Sequence, residues 1–350
     1  MYSNSIDEKI NFNNKKDSED VIFLDDSKIV NGKVKTNDWQ GKKKNNLELA
    51  NSYKRIYANT SKSKKYVKVK DCSTWLEFKL YLESLEKRLN GANFCKDRLC
   101  PICNWRRTLK VFGQASAVMD MAVAEGYEFI FLTLTQKNVK SEQLSDEITK
   151  MREGFKTMCK RTKFKKAFKG YFRALEVTYN KRHDEYHPHF HIILVVNKRY
   201  FKSEYYHSHE DFVALWRDCM KLDYDPNVDV RRFKSATKKQ LSKSLAEATK
   251  YTVKDADYLI KNKKGNLNPA KTDKVVHTLA EALFNRRLIA WGGVLKEYHK
   301  KLNLDDAEKG DLIYTGDEKV EEGLFIILTY RWNVGFTNYV LEATEKPSEK

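Results

Sequence analysis

The segment His187-Pro-His-Phe-His191 runs directly into the apolar sequence Ile-Ile-Leu-Val-Val, which ends at Val196. An apolar run of this length, rich in β-branched residues, predicts a buried strand. Alternate residues of a strand point to the same face of a sheet, so His187, His189 and His191 are expected to converge. Neutral imidazole is the most common side-chain ligand of divalent metal ions. The pattern therefore predicts a metal site on a buried strand.

Local patterns along the rest of the chain predict both strands and helices. Strands are expected over 129–135, 171–179, 189–196, 228–233, 324–330 and 332–341. Helices are expected over 75–89, 105–125, 144–161, 210–222, 237–254 and 278–300, the last interrupted at Gly292-Gly293. From residue 129 the order is β-α-β-β-α-β and then α, which is the split β-α-β arrangement of ferredoxin-like folds. We therefore expect an α+β protein with a central antiparallel sheet, in which the first and third strands are neighbours, and flanking helices.

Composition divides the chain into four expected regions. Residues 1–68 are basic and rich in Lys, Asn, Asp and Ser, which predicts a flexible N-terminal region. Residues 69–126 are expected to form a helical segment with a cysteine cluster. Residues 127–265 form the domain that carries the histidines, and residues 266–350 form a C-terminal region whose role the sequence leaves open.

The net charge points to a polyanionic partner. The chain has 66 Lys and Arg residues against 48 Asp and Glu residues, which gives a net charge of +18. Nucleic acid is the leading candidate for such a partner. Residues 150–169 contain nine basic residues and only one Glu. Phe155, Phe164 and Phe168 in this stretch could stack bases or belong to the core. Residues 231–254 contain eight basic residues and only one Glu. The candidate DNA-binding residues in this stretch are Arg231, Arg232, Lys250, Tyr251 and Lys254.

No stretch approaches the roughly 20 apolar residues that a membrane-spanning helix needs, and the N-terminus has no signal-peptide pattern. We therefore expect no membrane partner and a cytoplasmic protein, in which clustered cysteines bind metal more often than they pair. Cys95, Cys100 and Cys103 follow the spacing C-x4-C-x2-C, and Cys72 is the best candidate for a fourth ligand. A closed tetrathiolate zinc site of this kind is structural rather than catalytic.

A carboxylate is expected to complete the histidine site. In the predicted hairpin Glu176 falls opposite His191, so that Glu176, His189 and His191 share one ion, with His187 as the alternative third ligand. Nitrogen and carboxylate ligands with open positions suit Mg or Mn, and Zn less well, acting on a phosphate.

The predicted helix over 237–254 supplies a nucleophile. Glu247 and Tyr251 are four residues apart and therefore lie on one helix face, with Lys254 three residues further. A phenol with a pKa near 10 needs a cation to favour its phenolate, and Lys250, Lys254 and the metal could provide one. Tyr258 is the competing nucleophile.

Three ordered segments together resemble the motifs of a known family. They are FLTLTQKN at 131–138, HPHFH at 187–191 and EATKYTVKDADY at 247–258, and they follow FCKDRLCPICNWRR at 94–107. These segments closely resemble those of rolling-circle plasmid replication initiators, and best match the single-tyrosine Rep class of small Gram-positive plasmids. The resemblance spans roughly residues 70 to 300.

The resemblance implies an HUH endonuclease domain over 127–265. In this class the tyrosine at the position of Tyr251 attacks a scissile phosphodiester in the unpaired part of the plasmid origin. It becomes linked to the 5′-phosphate and leaves a free 3′-OH primer. The resemblance gives Glu247 the role of activating water at termination and gives His189 and His191 the metal-binding role. Origin DNA, single-stranded or in a hairpin, is the implied partner, together with a host helicase and polymerase.

Two other functions compete with this one. An HUH relaxase or transposase would use the same chemistry, whereas a non-catalytic, zinc-containing DNA-binding regulator would need only the charge and the cysteines. The regulator hypothesis does not explain the histidines or the Glu247/Tyr251 pair. A single tyrosine after the histidines, with the cysteine segment before them, favours the replication initiator.

Overall fold

The computed structural model describes residues 21–30, 33–233, 238–249, 252–315 and 323–345, and these residues form both strands and helices. The strands are β1 (Ser27–Val30), β2 (Lys33–Thr36), β3 (Trp75–Tyr81), β4 (Lys87–Ala92), β5 (Glu128–Leu134), β6 (Phe168–Asn180), β7 (Glu185–Val196), β8 (Val228–Arg232), β9 (Ile289–Gly293), β10 (Phe325–Asn333) and β11 (Asn338–Glu345). The helices are α1 (Trp39–Ile56), α2 (Lys64–Lys70), α3 (Pro101–Ala124), α4 (Leu144–Lys160), α5 (Thr162–Ala167), α6 (His209–Met220), α7 (Lys238–Ala248), α8 (Asp255–Tyr258), α9 (Pro269–Ala282) and α10 (Val294–Lys301). The protein is therefore α+β, as expected.

A five-stranded sheet with the order β8-β5-β7-β6-β9 forms the centre of the molecule. Every neighbouring pair is antiparallel. The strand β7 lies between β5 and β6, which therefore run in the same direction. The first and third of the four strands expected between residues 129 and 233 are thus neighbours, and the histidine strand is central.

The edge strand β9 replaces part of an expected helix. Helix formation was predicted over 278–300 with a break at the two glycines, but Ile289–Gly293 pairs with β6. Gly293 has φ 55°, and a Cβ atom there would clash with the backbone of Lys169. The glycine is needed because the two strands approach closely at this point, so it marks a strand edge rather than a helix break.

The two faces of the five-stranded sheet have separate apolar cores. The face that carries His189 and His191 also carries Phe131 and Ile193, and helices α3, α7 and α10 cover it. Helices α4, α6 and α9 cover the opposite face, which carries residues such as Phe190. Because both faces are buried, the central strand is apolar at almost every position, which explains the apolar run after His191.

A second sheet joins distant parts of the sequence in the order β11-β10-β3-β4. Residues 75–89 were expected to form a helix, and that prediction is wrong, since β3 and β4 form an antiparallel hairpin there. The strand β10 pairs along the whole of β3, from Phe325↔Tyr81 to Arg331↔Trp75. The expected helical segment 69–126 and the C-terminal region 266–350 therefore share a sheet.

The expectation of a flexible N-terminal region is wrong from Trp39 onwards. Helix α1 begins after Asp38, whose side chain accepts a hydrogen bond from Gly41 N, and it runs to Ile56. Trp39 is 1% exposed, and its ring lies 4.9 Å from that of Trp105. Residues 1–20 of this region lie outside the described residues. In the described part of the chain, no helix is both long enough and apolar enough to cross a membrane.

Candidate metal centres and active site

The β6–β7 hairpin brings a carboxylate and two imidazoles together. Glu176 pairs directly with His189, whereas Ala174 is the partner of His191. The predicted pairing of Glu176 with His191 is therefore wrong by two residues. A shift of two positions leaves a side chain on the same face of a strand, so Glu176 still points toward both histidines.

The three side chains meet at one point. Glu176 Oε2 lies 2.9 Å from His191 Nε2 and 3.3 Å from His189 Nε2. All three residues are buried, with exposures of 6%, 9% and 8% for Glu176, His189 and His191. One ligand atom from each lies within 4.8 Å of the other two, so the set could hold one ion. Two imidazoles and one carboxylate form a mixed nitrogen and oxygen donor set that suits a divalent ion with positions left for substrate.

Second hydrogen bonds orient both imidazole rings. His189 Nδ1–H donates to the carbonyl oxygen of His187 at 3.1 Å, and His191 Nδ1 lies 3.4 Å from Thr133 Oγ1 on β5. When Nδ1 carries the proton, the Nε2 lone pair is free to bind a metal. Thr133 was not among the residues predicted for the site. It lies on the predicted strand 129–135, which was expected to neighbour the histidine strand, and it could have been found on that basis.

The electrostatic surroundings keep Glu176 ionised. Burial opposes its ionisation, but the adjacent imidazole groups of His189 and His191 outweigh burial and hold the pKa of the carboxyl well below its usual range. Lys254 Nζ lies 3.6 Å from the other carboxylate oxygen, Oε1. Glu176 is therefore available as an anionic ligand at neutral pH.

His187 stands apart from this ligand group. Its ring centroid lies 5.2 Å from that of His189, but its ring nitrogens do not join the ligand atoms gathered around Glu176. Burial lowers the pKa of His187 to about 4, and its Nδ1 atom has no hydrogen-bond partner among the described residues. The structure thus brings together Glu176, His189 and His191 and leaves out the alternative ligand.

The segment after residue 251 is anchored beside Glu176. The carbonyl oxygen of Thr252 accepts a hydrogen bond of 2.7 Å from Val177 N. A cavity of about 260 Å³ lies next to Lys254, and its wall includes Lys42 and Asn45 of α1 and the preceding N-cap residue Asp38. Nothing in the local sequence indicated that the N-terminal helix lines this region.

The candidate catalytic residues are only partly described. Tyr251 and Lys250 lie outside the described residues. Glu247, near the end of α7, makes a forked ion pair with Arg231, with Nη2–Oε1 at 3.0 Å and Nη1–Oε2 at 3.4 Å. Arg232 pairs with Glu128 at 2.9 Å. The two candidate DNA-binding arginines therefore already have carboxylate partners.

Tyr258, the competing nucleophile, is a core residue. It is 1% exposed, and its hydroxyl donates to the carbonyl oxygen of Leu99. Burial raises the pKa of the Tyr258 phenol well above its usual value. A buried, neutral phenol that is hydrogen-bonded to a carbonyl group is a poor nucleophile, so the structure does not favour Tyr258.

The four predicted zinc ligands also lie together. The β3–β4 hairpin closes the gap between Cys72 and Cys95, while Cys100 and Cys103 lie at the start of α3. Cys72 Sγ is 3.5 Å from Cys103 Sγ and 3.6 Å from Cys100 Sγ, and Cys95 Sγ is 3.7 Å from Cys103 Sγ. A tetrahedral zinc ion with Zn–S bonds of 2.3 Å needs sulfur separations of about 3.8 Å. The four buried sulfurs therefore fit one such ion.

Donors surround this cysteine cluster. Backbone N–H groups of Lys96 and Asp97 point at the sulfurs of Cys103 and Cys95, at 3.3 and 3.4 Å. Lys43 on α1 is fully buried, and its Nζ donates to the carbonyl oxygens of Lys70 at 2.7 Å and Cys72 at 2.5 Å. Positive charge and N–H donors stabilise a tetrathiolate site, which carries negative charge.

Acidic side chains of α6 neutralise part of the positive charge of the basic stretch 150–169. Arg161 and Lys163 pair with Asp218 and Asp211 of α6. Its three phenylalanines are core residues rather than stacking surfaces, since Phe155, Phe164 and Phe168 are 2%, 3% and 8% exposed. This stretch therefore offers less free charge to a nucleic acid than its composition implies.

Comparison with known proteins places this α+β chain among replication proteins. Residues 86–340 match the family described as replication protein. The chain is 41% identical to a "Protein rep" of Bacillus amyloliquefaciens, over 93% of this chain and 99% of that protein. It is 34% identical to a "Protein rep" of Streptococcus pneumoniae serotype 2, over 93% of this chain and 97% of that protein. The chain therefore belongs to the replication protein family. No solved structure matches it significantly.

Proposed function

We propose that this protein initiates rolling-circle replication of a plasmid by nicking and rejoining one strand of the origin. The observation that carries the proposal is the meeting of Glu176 Oε2 with the Nε2 atoms of His189 and His191 on a central strand. Membership of the replication protein family supports a role in replication. The paired histidines and the sheet order β8-β5-β7-β6 support an HUH endonuclease domain with a ferredoxin-like sheet.

A divalent ion, Mg or Mn, held by Glu176, His189 and His191 would polarise the scissile phosphate. In the proposed reaction Tyr251 loses its phenol proton to solvent, its oxygen attacks the phosphorus, and the bond between phosphorus and the 3′ oxygen breaks. A 5′-phosphotyrosine forms, and the 3′ oxygen takes one proton from solvent to become the primer hydroxyl, so the step is balanced. Tyr251 precedes Thr252, which is anchored beside Glu176, and this sequence position supports its assignment. Lys254 Nζ, 3.6 Å from Glu176 Oε1, places positive charge where a phenolate or phosphate would gain from it.

Glu247 is proposed to act at termination. There its carboxylate would take a proton from water as the water oxygen attacks the phosphotyrosine, releasing the tyrosine. The forked ion pair with Arg231 fixes the carboxylate in place. Arg231 in turn lies over the ring of Phe131, at 4.5 Å from the centroid, and Phe131 lies beside His191, with ring centroids 5.7 Å apart. This chain of contacts links Glu247 to the metal ligands.

The test is a covalent adduct. Purified protein incubated with a labelled origin single strand and Mn²⁺ or Mg²⁺ should give a band that survives denaturing electrophoresis. Tyr251→Phe should give none, whereas Tyr258→Phe, which loses only a hydroxyl in the core, should still form the adduct. An adduct in Tyr251→Phe would remove this residue as the nucleophile.

The alternatives predict different results. A non-catalytic regulator would bind the origin without cleaving it under any metal condition. A relaxase or a transposase would cleave, but it would support mobilisation or transposition rather than replication of a plasmid that carries the origin. Replication in cells of a plasmid with the cognate origin therefore distinguishes the initiator from a relaxase and from a transposase. Loading of a host helicase and polymerase belongs to the same proposal.

A further inference from the structure

A basic groove lies beside the cysteine cluster, and the proposed active site does not use it. The groove has a volume of about 630 Å³ and lies between α2, α9 and the loop 95–99. We call it the cysteine-loop groove. Its basic side chains are Lys62, Lys64, Lys65, Lys68, Lys96 and Arg98, and its acidic ones are Asp97 and Glu281. This excess of positive charge favours a polyanion as the occupant.

The positive surface continues past the loop. A second cavity of about 310 Å³ shares Lys96, Arg98 and Asn285 with the first and adds Arg107 and Lys309. Glu308 also lines this second cavity and pairs with Arg98 at 3.4 Å. The two cavities are therefore adjacent, and basic side chains outnumber acidic ones in both. An extended chain of phosphates, rather than a single small anion, matches two adjacent cavities of this kind.

Several of these charges have no carboxylate partner. Lys64 and Lys68 are exposed and four residues apart on α2, and neither makes an ion pair within the described ranges. Like charges at this spacing repel each other, which costs helix stability unless an anion lies between them. By contrast, Lys62 pairs with Glu281 at 2.6 Å and Lys65 with Asp97 at 3.2 Å. Lys96 is also exposed and makes no ion pair within the described ranges, and its Nζ donates to the carbonyl oxygen of Lys309 at 3.2 Å. The charge without a carboxylate partner is thus on Lys64, Lys68 and Lys96.

An aromatic side chain stands open at the groove. Phe284 is 62% exposed, and Lys62 Nζ lies 5.7 Å from its ring centroid. An exposed aromatic ring beside cationic side chains is the arrangement on which unpaired bases stack. A paired duplex would keep its bases away from such a ring.

The cysteine cluster holds the wall of the groove in place. Lys96 adopts φ 58°, a left-handed conformation that is unfavourable for lysine, while its N–H group points at Cys103 Sγ at 3.3 Å. The adjacent Asp97 N–H group points at Cys95 Sγ at 3.4 Å. The loop that carries Lys96 and Arg98 is therefore fixed before any ligand binds, which lowers the entropic cost of binding.

We propose that the cysteine-loop groove binds single-stranded DNA, through phosphate contacts with Lys64, Lys68 and Lys96 and through base stacking on Phe284. Binding there is independent of sequence and separate from the metal site. The groove would hold unpaired DNA at a second point on the protein, and this inference requires no cleavage chemistry.

The test is binding of a fluorescent oligo-dT of about 16 nucleotides, followed by anisotropy without added Mg²⁺ or Mn²⁺. Lys64→Gln/Lys68→Gln is expected to bind at least about tenfold more weakly than the wild-type protein. The slope of log K against the logarithm of the salt concentration should become less steep by about 1.4, which corresponds to the loss of two phosphate contacts. The matched control is Lys300→Gln/Lys301→Gln, which removes two exposed lysines of α10 outside the groove and should leave binding unchanged.

A second pair of variants tests the stacking contact. Phe284→Ala should weaken oligo-dT binding by about tenfold, and Phe284→Tyr should restore it, because both aromatic rings offer a stacking face. Equal losses in the groove and control lysine variants would overturn the proposal, as would unchanged binding in the groove variant. Tighter binding of a duplex than of oligo-dT, lost in the same variant, would overturn the single-strand assignment. Adduct formation by the groove variant on a short oligonucleotide should be unchanged, so failure of this inference and of the proposed nicking are distinguishable.

Discussion

Glu176 Oε2 lies 2.9 Å from His191 Nε2, although the two residues are not direct partners on their neighbouring strands and are offset by two positions. The carboxylate leans along the hairpin, so that the same Oε2 atom also lies 3.3 Å from Nε2 of His189. The other oxygen, Oε1, remains on the side of Lys254. Glu176 therefore connects both imidazoles with the only described lysine that pairs with it.

Metal affinity should depend on this group and not on His187. His189→Ala and His191→Ala are each expected to weaken Mn²⁺ binding by at least about tenfold, because each removes one of the three ligand atoms. Isothermal titration calorimetry with Mn²⁺ measures the effect. His187→Ala is the matched control, since its ring nitrogens lie outside the ligand group, and it should bind Mn²⁺ nearly as the wild-type protein does. A larger loss in His187→Ala than in His189→Ala would reverse this ligand assignment.

The cysteine cluster is expected to hold one zinc ion that stabilises the fold. Cys103→Ser should lose the zinc and at least roughly 3 kcal/mol of unfolding free energy, because a closed tetrathiolate site contributes directly to folding. Metal content by mass spectrometry and thermal unfolding measure the two effects. Cys159→Ser is the control, since Cys159 lies outside the cluster, and it should keep its zinc. Zinc retained at full occupancy in Cys103→Ser would contradict the assignment.

The N-terminal helix should be part of the folding unit. Trp39→Ala is expected to lower the free energy of unfolding by about 3 to 5 kcal/mol, because it empties a fully buried site between Phe78, Phe94 and Trp105. Urea denaturation measures the change. Val67→Ala, at a position that is 52% exposed on α2, should change the stability by less than about 0.5 kcal/mol. Similar small effects of both substitutions would mean that α1 is not packed as described.

The histidine hairpin could be predicted from the sequence, because its signal is local. A long apolar run with alternating histidines specifies both the strand and the face, and a register error of two residues leaves the face unchanged. The strand at 325–331 was predicted as well, but its pairing with 75–81 has no local signal, since about 250 residues separate the two segments. Buried Leu76 and Phe78 alternate as a strand requires, but an apolar stripe at helical spacing runs through the same residues.

The N-terminal helix was missed for a different reason. Its buried face includes Lys43 and Asn46, which composition counts as polar. These side chains are buried because distant backbone groups satisfy them: Lys43 donates to Lys70 and Cys72, and Asn46 donates to Val69. Such tertiary hydrogen bonds remove the cost of burying polar groups, and they cannot be read from the helix alone.

Acid should destabilise the protein partly through His207. This residue is 4% exposed, and burial together with the positive charge of Lys163 lowers its pKa below 6.5, against smaller opposing effects of its bond to Tyr205 O and of Asp211. Above about pH 6.5 the ring is neutral in both states and contributes nothing to the pH dependence. Below that pH the unfolded chain takes up a proton that the folded state resists, so stability falls until the folded pKa is reached.

His207→Gln should therefore flatten the dependence of unfolding free energy on pH in the range below about 6.5, even if it lowers stability at every pH. Urea denaturation at a series of pH values measures the slope. The exposed His183 provides the control, and His183→Gln should keep the wild-type slope. An unchanged slope in His207→Gln would show that other groups account for the acid sensitivity.

Termination should depend on Glu247 while nicking does not. In Glu247→Gln the first transesterification needs no base from this side chain, so the covalent adduct should form within about twofold of the wild-type rate. Hydrolysis of the adduct should slow by about 100-fold, a typical effect of removing a general base. A single-turnover assay that follows adduct formation and then release separates the two steps. Glu128→Gln is the matched control, because it removes the carboxylate partner of Arg232 rather than that of Arg231 and should release the adduct normally. Equal slowing of both steps in Glu247→Gln would indicate that Glu247 positions the DNA through Arg231 instead of activating water.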